Sequence, residues 1–179
     1  KPFQDFTLEE YDTQLRVNAS ATFALTRACV PAMKAKGWGR VINMTSLTLN
    51  GQWDGFVPYV ASKGAMLGLT KGLARELGQH GITVNAIAPG AVVSEAEDRV
   101  FGDRLSDYNS FILKNQSVKT RILAEDVANA ALWLASDESG YTTGHTLTTD
   151  AGTTIGATSA KPNFSEYQPM IREVSIKAS

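Results

Sequence analysis

The sequence predicts an α/β fold, a parallel β-sheet with helices on both faces, and two observations carry this. Short β-branched apolar runs alternate with long helical patterns in the order α, β, α, β, α, β, and such alternation implies parallel strands joined by crossovers. The first two strand candidates end at Thr45-Ser46 and at Pro89-Gly90. Both carboxyl ends therefore point at one rim, which is where open α/β sheets bind ligands.

The elements follow in chain order. Thr7 and Glu10 match a capping box, and Leu8, Tyr11, Leu15, Phe23 and Leu25 then run apolar at helical spacing. Pro31 should kink this helix or sit in a tolerated turn of it, and Gly37 and Gly39 close it. Residues 40–46, RVINMTS, read as a short apolar strand. Residues 57–80 read as a helix, with Pro58 in its first turn and an apolar face of Met66, Leu67, Leu69, Leu73 and Leu77. Residues 81–90, GITVNAIAPG, are a β-branched strand stopped by Pro-Gly. Residues 91–120 read as polar and irregular, with a short helix near 104–115. Residues 124–136 form a strong helix, apolar at Val127, Ala131, Leu132 and Leu134, and 144–152 a last short strand. One domain is expected over 1–152, followed by a Ser/Thr/Lys/Pro-rich tail over 153–179.

Bulk composition narrows the function. A chain of 179 residues, 43% hydrophobic and 20% charged, is long enough for a real core. A net charge of −1 gives no reason to expect nucleic acid or an acidic membrane surface. No run of about 18 apolar residues exists, so no membrane span is expected. Cys29 is the only cysteine and the two histidines, His80 and His145, are far apart. No metal site is expected, and a reducing, cytoplasmic location is. The N-terminal KPFQDFTLEEY has no apolar core of a signal peptide and no initiator Met, a hint that the polypeptide begins elsewhere.

The chemistry-bearing candidate is PYVASKGAM, residues 58–66. Tyr59 and Lys63, four apart on a helix, share one face. The spacing alone is weak, since it arises by chance in about one chain in three of this length. A free phenol has a pKa of about 10, too high to exchange protons near neutrality. An adjacent ammonium favours its ionised form. Such a Tyr can give a proton to a carbonyl oxygen while a hydride reaches the carbon, with the hydroxyl of Ser46 holding the same oxygen.

In order along the chain stand RVNASATF, GRVINMTS, YVASK, GITVNAIAPGAVVS and ASDESGYTTGHTLTTDAG. Together they resemble the short-chain dehydrogenase/reductase family over residues 1–152, a specific signal because five motifs keep order and spacing. The resemblance implies a partial Rossmann-like, doubly wound sheet. It also implies NAD(P)-dependent interconversion of a carbonyl and a secondary alcohol, with 3-oxoacyl thioesters, sugars, polyols and aromatic alcohols all open. It assigns Tyr59 as general acid/base and coenzyme contact, Ser46 as substrate-oxygen donor, and Lys63 as ribose ligand and tuner of Tyr59. Asn18 would hold a relay water through its backbone. Pro89, Gly90, Val92 and Ser94 would border the coenzyme, Val92 through backbone groups and Ser94 where the family usually has Thr. Ala151 stands where Gly is commoner. Trp53 and Phe56 fall where the family places substrate-pocket residues. Asn43, Thr45 and Asn85 read instead as strand-end hydrogen bonders, His80 and His145 as surface or structural residues, and Trp133 as core or interface. The helices over 7–36 and 57–80 are those that pair subunits in the family, implying a homodimer or homotetramer.

The family's Gly-rich coenzyme turn and its Asn-Asn-Ala-Gly element are absent. Three or four strands are therefore expected to lie outside these residues, and strand 40–46 to keep an open edge. The 179 residues are expected to belong to a longer polypeptide and to be inactive by themselves. Whether the coenzyme is NAD or NADP is not readable, because the deciding residue belongs to the missing part. The alternative is a non-catalytic fragment serving as a structural or oligomer-forming module.

Overall fold

The computed structural model describes residues 1–51 and 53–155. Most of the expected tail, from residue 156 on, lies outside the described residues.

Thr7 caps α1 (Leu8–Leu15) with both bonds of a capping box: the Glu10 amide donates to Thr7 Oγ1 at 3.2 Å, and the Thr7 amide donates to Glu10 Oε2 at 2.8 Å. The helix then widens into one π turn, Arg16–Ser20, before α2 (Ala21–Lys36). α2 runs through Pro31 and stops at Gly37, whose φ of +66° suits a left-handed cap. The break in regularity therefore falls at the π turn, where no proline or glycine signals it. β1 (Gly39–Met44) leads to α3 (Val57–Leu77), and β2 (Ile82–Pro89) follows.

The stretch 91–120 departs from the expectation of an irregular segment. It holds α4 (Glu95–Phe101) as well as α5 (Leu105–Asn115). α4 has charges on most positions and only seven residues, so its apolar pattern is too sparse to read. α6 (Ala124–Ala135) and β3 (Thr146–Thr149) complete the chain.

The sheet is parallel in the order β1-β2-β3. Gly39 pairs with Ile82 through to Met44 with Ile87, and Ala86 pairs with Thr146 through to Pro89 with Thr149. β2 is the centre, and every residue from Ile82 to Ala88 is buried. Alternation along β1 shows helices on both faces. Val41 packs with Ala74, Leu77 and Val84 under α2 and α3. Its neighbour Arg40 points the other way, donating through Nε to the Ser136 carbonyl at the end of α6 at 3.1 Å. Among the described residues no strand pairs with the outer edge of β1.

Among the buried polar side chains of the sheet and its rim, Asn43, Thr45 and Asn85 are bonded, while Thr149 Oγ1 of β3 is buried without a bonded partner among the described residues. Asn43 donates to Thr70 Oγ1 at 2.9 Å, and Thr45 Oγ1 donates to the Ile87 carbonyl at 3.0 Å. Asn85 sits inside β2 rather than at its end, and ties down the approach to β3 by donating to Thr142 O and accepting from the His145 amide. Two expected apolar faces are only partly core in this chain, although Leu134 of α6 is fully buried. Phe23 and Leu25 of α2 are 50% and 68% exposed, and Trp133 and Leu132 of α6 are exposed as well.

Candidate active site

α3 delivers two of the candidate residues in its first two turns. Pro58 opens the helix where a missing amide leaves no bond unmade. One turn separates Tyr59 from Lys63, and the Lys63 ammonium sits 5.5 Å from the phenol ring centroid. Lys63 is buried, and its Nζ donates to the Met44 carbonyl at 2.6 Å, anchoring the amine against the end of β1. Burial pulls the Lys63 amine below its ordinary range.

That shift has a testable sign. With the folded pKa below the unfolded one, the buried charge costs stability at neutral pH, and the cost is relieved as pH rises toward the unfolded value of about 10.4. Comparing Lys63→Met with the parent by urea unfolding at several pH values, the difference is expected to move steadily in favour of the parent as pH climbs. A pH-independent difference would contradict it.

Ser46 lies two residues beyond Met44, buried, at the start of a single 3-10 turn, Leu47–Asn50. Its Oγ accepts from the Thr48 amide at 3.2 Å and from the Thr48 hydroxyl at 2.9 Å. The Ser46 hydroxyl thus keeps its proton for another acceptor. Tyr59 is half-buried at the end of an aromatic run: Phe56 meets it edge to face at 6.3 Å, Trp53 meets Phe56 at 6.4 Å, and Phe111 of α5 meets Trp53 at 6.3 Å. These rings form a wall in which Phe56 stands next to Tyr59 and Trp53 lies one ring further along.

Asn18 sits in the middle of the π turn. Its side-chain amide donates to Ser62 Oγ at 2.8 Å, and the Ser62 hydroxyl donates to the Tyr59 carbonyl at 2.7 Å. The Asn18 carbonyl accepts the Thr22 hydroxyl at 2.8 Å. Ser62 and Thr48 were not singled out from the sequence. Their only signal was adjacency to Lys63 and Ser46.

The turn after β2 carries the remaining candidates. The Gly90 amide donates to the Thr149 carbonyl at 3.0 Å, tying the turn to β3. A Cβ on Gly90 would lie 2.8 Å from both the Asp150 Cα and the Ile122 Cδ1, so only glycine fits. Val92 forms a parallel bridge with Ile122, made by the Val93 amide donating to the Ile122 carbonyl at 2.9 Å. In a parallel bridge the bonds belong to the flanking residues, so the amide and carbonyl of Val92 itself stay out of that bond. Ser94 is exposed at the start of α4.

Beyond the turn, α4 and α5 close around a polar cluster that the sequence did not reveal. Arg121 Nη2 lies 2.7 Å from Glu97 Oε1, with both side chains 11% exposed. Arg121 also donates to Asn109 Oδ1, and its guanidinium lies over the Tyr108 ring at 5.3 Å. Burial first, and the Glu97 carboxylate second, push the Tyr108 phenol well above its usual range, with Arg121 opposing them.

The donor set fits a nicotinamide ribose. An ammonium has three donors, Met44 takes one at Lys63, and two remain for vicinal hydroxyls. The unengaged backbone of Val92 fits a carboxamide, which needs one donor and one acceptor. No group of three or more His, Cys, Asp or Glu able to hold a metal occurs among the described residues.

Comparison with known proteins bears on the family and the fold. A family model described as enoyl-(acyl carrier protein) reductase matches residues 1–154. The chain is 36% identical over 165 residues to the D-beta-hydroxybutyrate dehydrogenase of Rhizobium meliloti, covering 84% of this chain and 62% of that one. It is 38% identical over 144 residues to the 3-oxoacyl-(acyl-carrier-protein) reductase FabG of Rickettsia bellii, covering 80% and 58%. The crystal structure of acetoin dehydrogenase from Enterobacter cloacae superposes with a TM-score of 0.76 at 28% identity, covering 90% of this chain and 62% of that one. The chain thus spans less than two thirds of the length of these relatives. The parallel sheet, the Tyr59–Lys63 helix beside the end of β1, and the match over almost all the described residues have one common account: the chain belongs to the short-chain dehydrogenase/reductase family.

Proposed function

We propose that this chain is the catalytic portion of an NAD(P)-dependent dehydrogenase that interconverts a carbonyl and a secondary alcohol on a small or medium substrate. The observation that carries this reading is the buried Lys63 ammonium held between the carbonyl of Met44, two residues before Ser46, and the face of Tyr59. In reduction, the Ser46 hydroxyl holds the carbonyl oxygen and Tyr59 gives it a proton; in oxidation Tyr59 takes the proton from the alcohol. Lys63 offsets the negative charge left on the phenolate and holds the ribose hydroxyls. The coenzyme, NAD or NADP, supplies or accepts the hydride when bound. Asn18 braces Tyr59 through Ser62, and a relay water on its carbonyl would share that oxygen with the Thr22 hydroxyl.

Substrate-dependent loss of reduced nicotinamide absorbance tests the function, using the active polypeptide with NADH and NADPH in turn. The panel is 3-oxoacyl thioesters, 3-oxobutyrate, sugars and aromatic ketones, chosen from the names of the relatives, the substrate classes the sequence leaves open and the aromatic wall. Turnover of none of them with either coenzyme overturns the reading.

No helix among the described residues is long and apolar enough to cross a membrane. The exposed free thiol of Cys29 suits a reducing compartment, which supports a cytoplasmic placement. We also propose a homodimer or homotetramer. α2 and α3 share an open groove of about 560 Å³ lined by Ala19, Phe23, Ala65, Gly68, Leu69 and Gly72, continuous with the exposed Phe23. Small residues there let a second helix pair approach closely, and an apolar groove gains by being covered. Light scattering at micromolar concentration is expected to give a dimer or larger, and Leu69→Glu a smaller species. A parent protein that is monomeric removes the proposal.

A further inference from the structure

We propose that Arg121 is a positioning residue for the coenzyme-facing turn, its guanidinium latching α4 and α5 onto residues 89–93 at a fixed distance. This rests on the dehydrogenase reading above. Arg121 comes from the loop between α5 and α6, yet it reaches three other elements at once. It ion-pairs with Glu97 of α4 at 2.7 Å and donates to Asn109 of α5. It also donates to the Ala91 carbonyl in the turn at 3.4 Å. Its flat face covers the ring of Tyr108, also on α5. The next residue, Ile122, accepts the Val93 amide and packs against Gly90. One short segment, residues 121–122, thus holds both sides of Val92, the residue whose own backbone groups remain for a carboxamide.

The chemistry of the pair argues for geometry rather than strength. A buried ion pair adds little net stability, because desolvating two charges offsets their attraction, and apolar side chains of similar volume do as well. A guanidinium supplies direction: a rigid planar fork that fixes where its acceptors lie. Here the acceptors belong to the turn and to both helices over it. Removing the fork leaves α4 and α5 able to pack through Phe101, Tyr108 and Phe111, with the Ala91 side chain still against that cluster, but without a directional bond to the Ala91 carbonyl.

The test uses the active polypeptide carrying Glu97→Leu with Arg121→Met, which replaces the pair by apolar groups, and separately Arg121→Lys, which keeps the charge and loses the fork. Three quantities are read: thermal midpoint, the Kd of reduced coenzyme by nicotinamide fluorescence, and amide exchange over residues 90–101 without coenzyme. The double variant is expected to melt near the parent, to bind coenzyme about tenfold more weakly, and to exchange faster over 90–101. The loss should fall on Kd more than on the single-turnover hydride-transfer rate at saturating coenzyme, the pattern of a lost binding geometry. A folded double variant with parental Kd and parental exchange overturns the proposal and leaves the pair as packing. Should the double variant fail to fold, Arg121→Lys decides: a similar rise in Kd upholds the latch, and a parental Kd overturns it. Tyr59→Phe run alongside separates the two levels. If Tyr59→Phe turns over normally, the dehydrogenase reading has failed and the latch with it. If it is dead while the Arg121 variants bind as the parent does, the latch alone has failed.

Discussion

Tyr59→Phe is expected to lower carbonyl reduction by at least about 10²-fold, the typical contribution of a positioned general acid. The ring stays. Its edge contact with Phe56 and its place beside the Lys63 ammonium do not need the hydroxyl, so helix packing is expected to hold. Only the proton is lost. Ser46 is not expected to replace it, since its hydroxyl would hold the substrate oxygen as a neutral donor and, among the described residues, its bonded partners are the amide and hydroxyl of Thr48. Steady-state turnover on the active polypeptide, with circular dichroism as the folding control, checks this. Parental turnover in a folded variant removes Tyr59 from the mechanism. Coenzyme Kd is expected to change less than turnover, because Lys63 would still hold the ribose when Tyr59 loses only its hydroxyl.

Residues 1–179 expressed by themselves are expected to bind NADH or NADPH no more tightly than about millimolar, roughly 4 kcal/mol weaker than a micromolar site, and to show no dehydrogenase activity. The described residues carry the groups proposed for the nicotinamide half of a site, and among them no helix N-terminus is open to the pyrophosphate. An anion of that kind is normally received at a helix N-terminus. α1 begins with Glu9 and Glu10, α4 with Glu95, Glu97 and Asp98, α5 with Asp107 and α6 with Glu125 and Asp126. Each of those first turns is already occupied by its own carboxylates. α2 continues from the π turn, and α3 opens with Pro58 and Tyr59, inside the catalytic group itself. No Gly-x-x-x-Gly-x-Gly turn occurs in the sequence to provide another. Fluorescence titration of the mass-verified protein with both reduced coenzymes checks the expectation, and saturable micromolar binding overturns it.

Much of the architecture was legible from residues alone because the signals were local. The capping box at Thr7 and Glu10, the proline in the first turn of α3, and the β-branched run of β2 before Pro89 each specify structure within a few positions. The α4 helix was not legible. Its seven residues carry Glu95, Glu97, Asp98 and Arg99, and it is held by Glu97 reaching Arg121, 24 positions away. The π turn at Arg16–Ser20 was hidden for a related reason: nothing in RVNAS forbids an ordinary helix.

The candidate site divides along the same line. By itself the sequence determined that Tyr59 and Lys63 share a helix face and that Ser46 follows a strand, because a fixed periodicity converts spacing into direction. Only the tertiary structure decided what each side chain is spent on. The Asn18 side chain goes to Ser62, 44 residues away, and the Lys63 ammonium to Met44, 19 residues away. Arg121 gathers Glu97, Asn109 and the turn at Ala91 into one cluster. These bonds depend on how the helices are set against the sheet, and that setting comes from summed packing over many residues, which no short stretch of sequence contains.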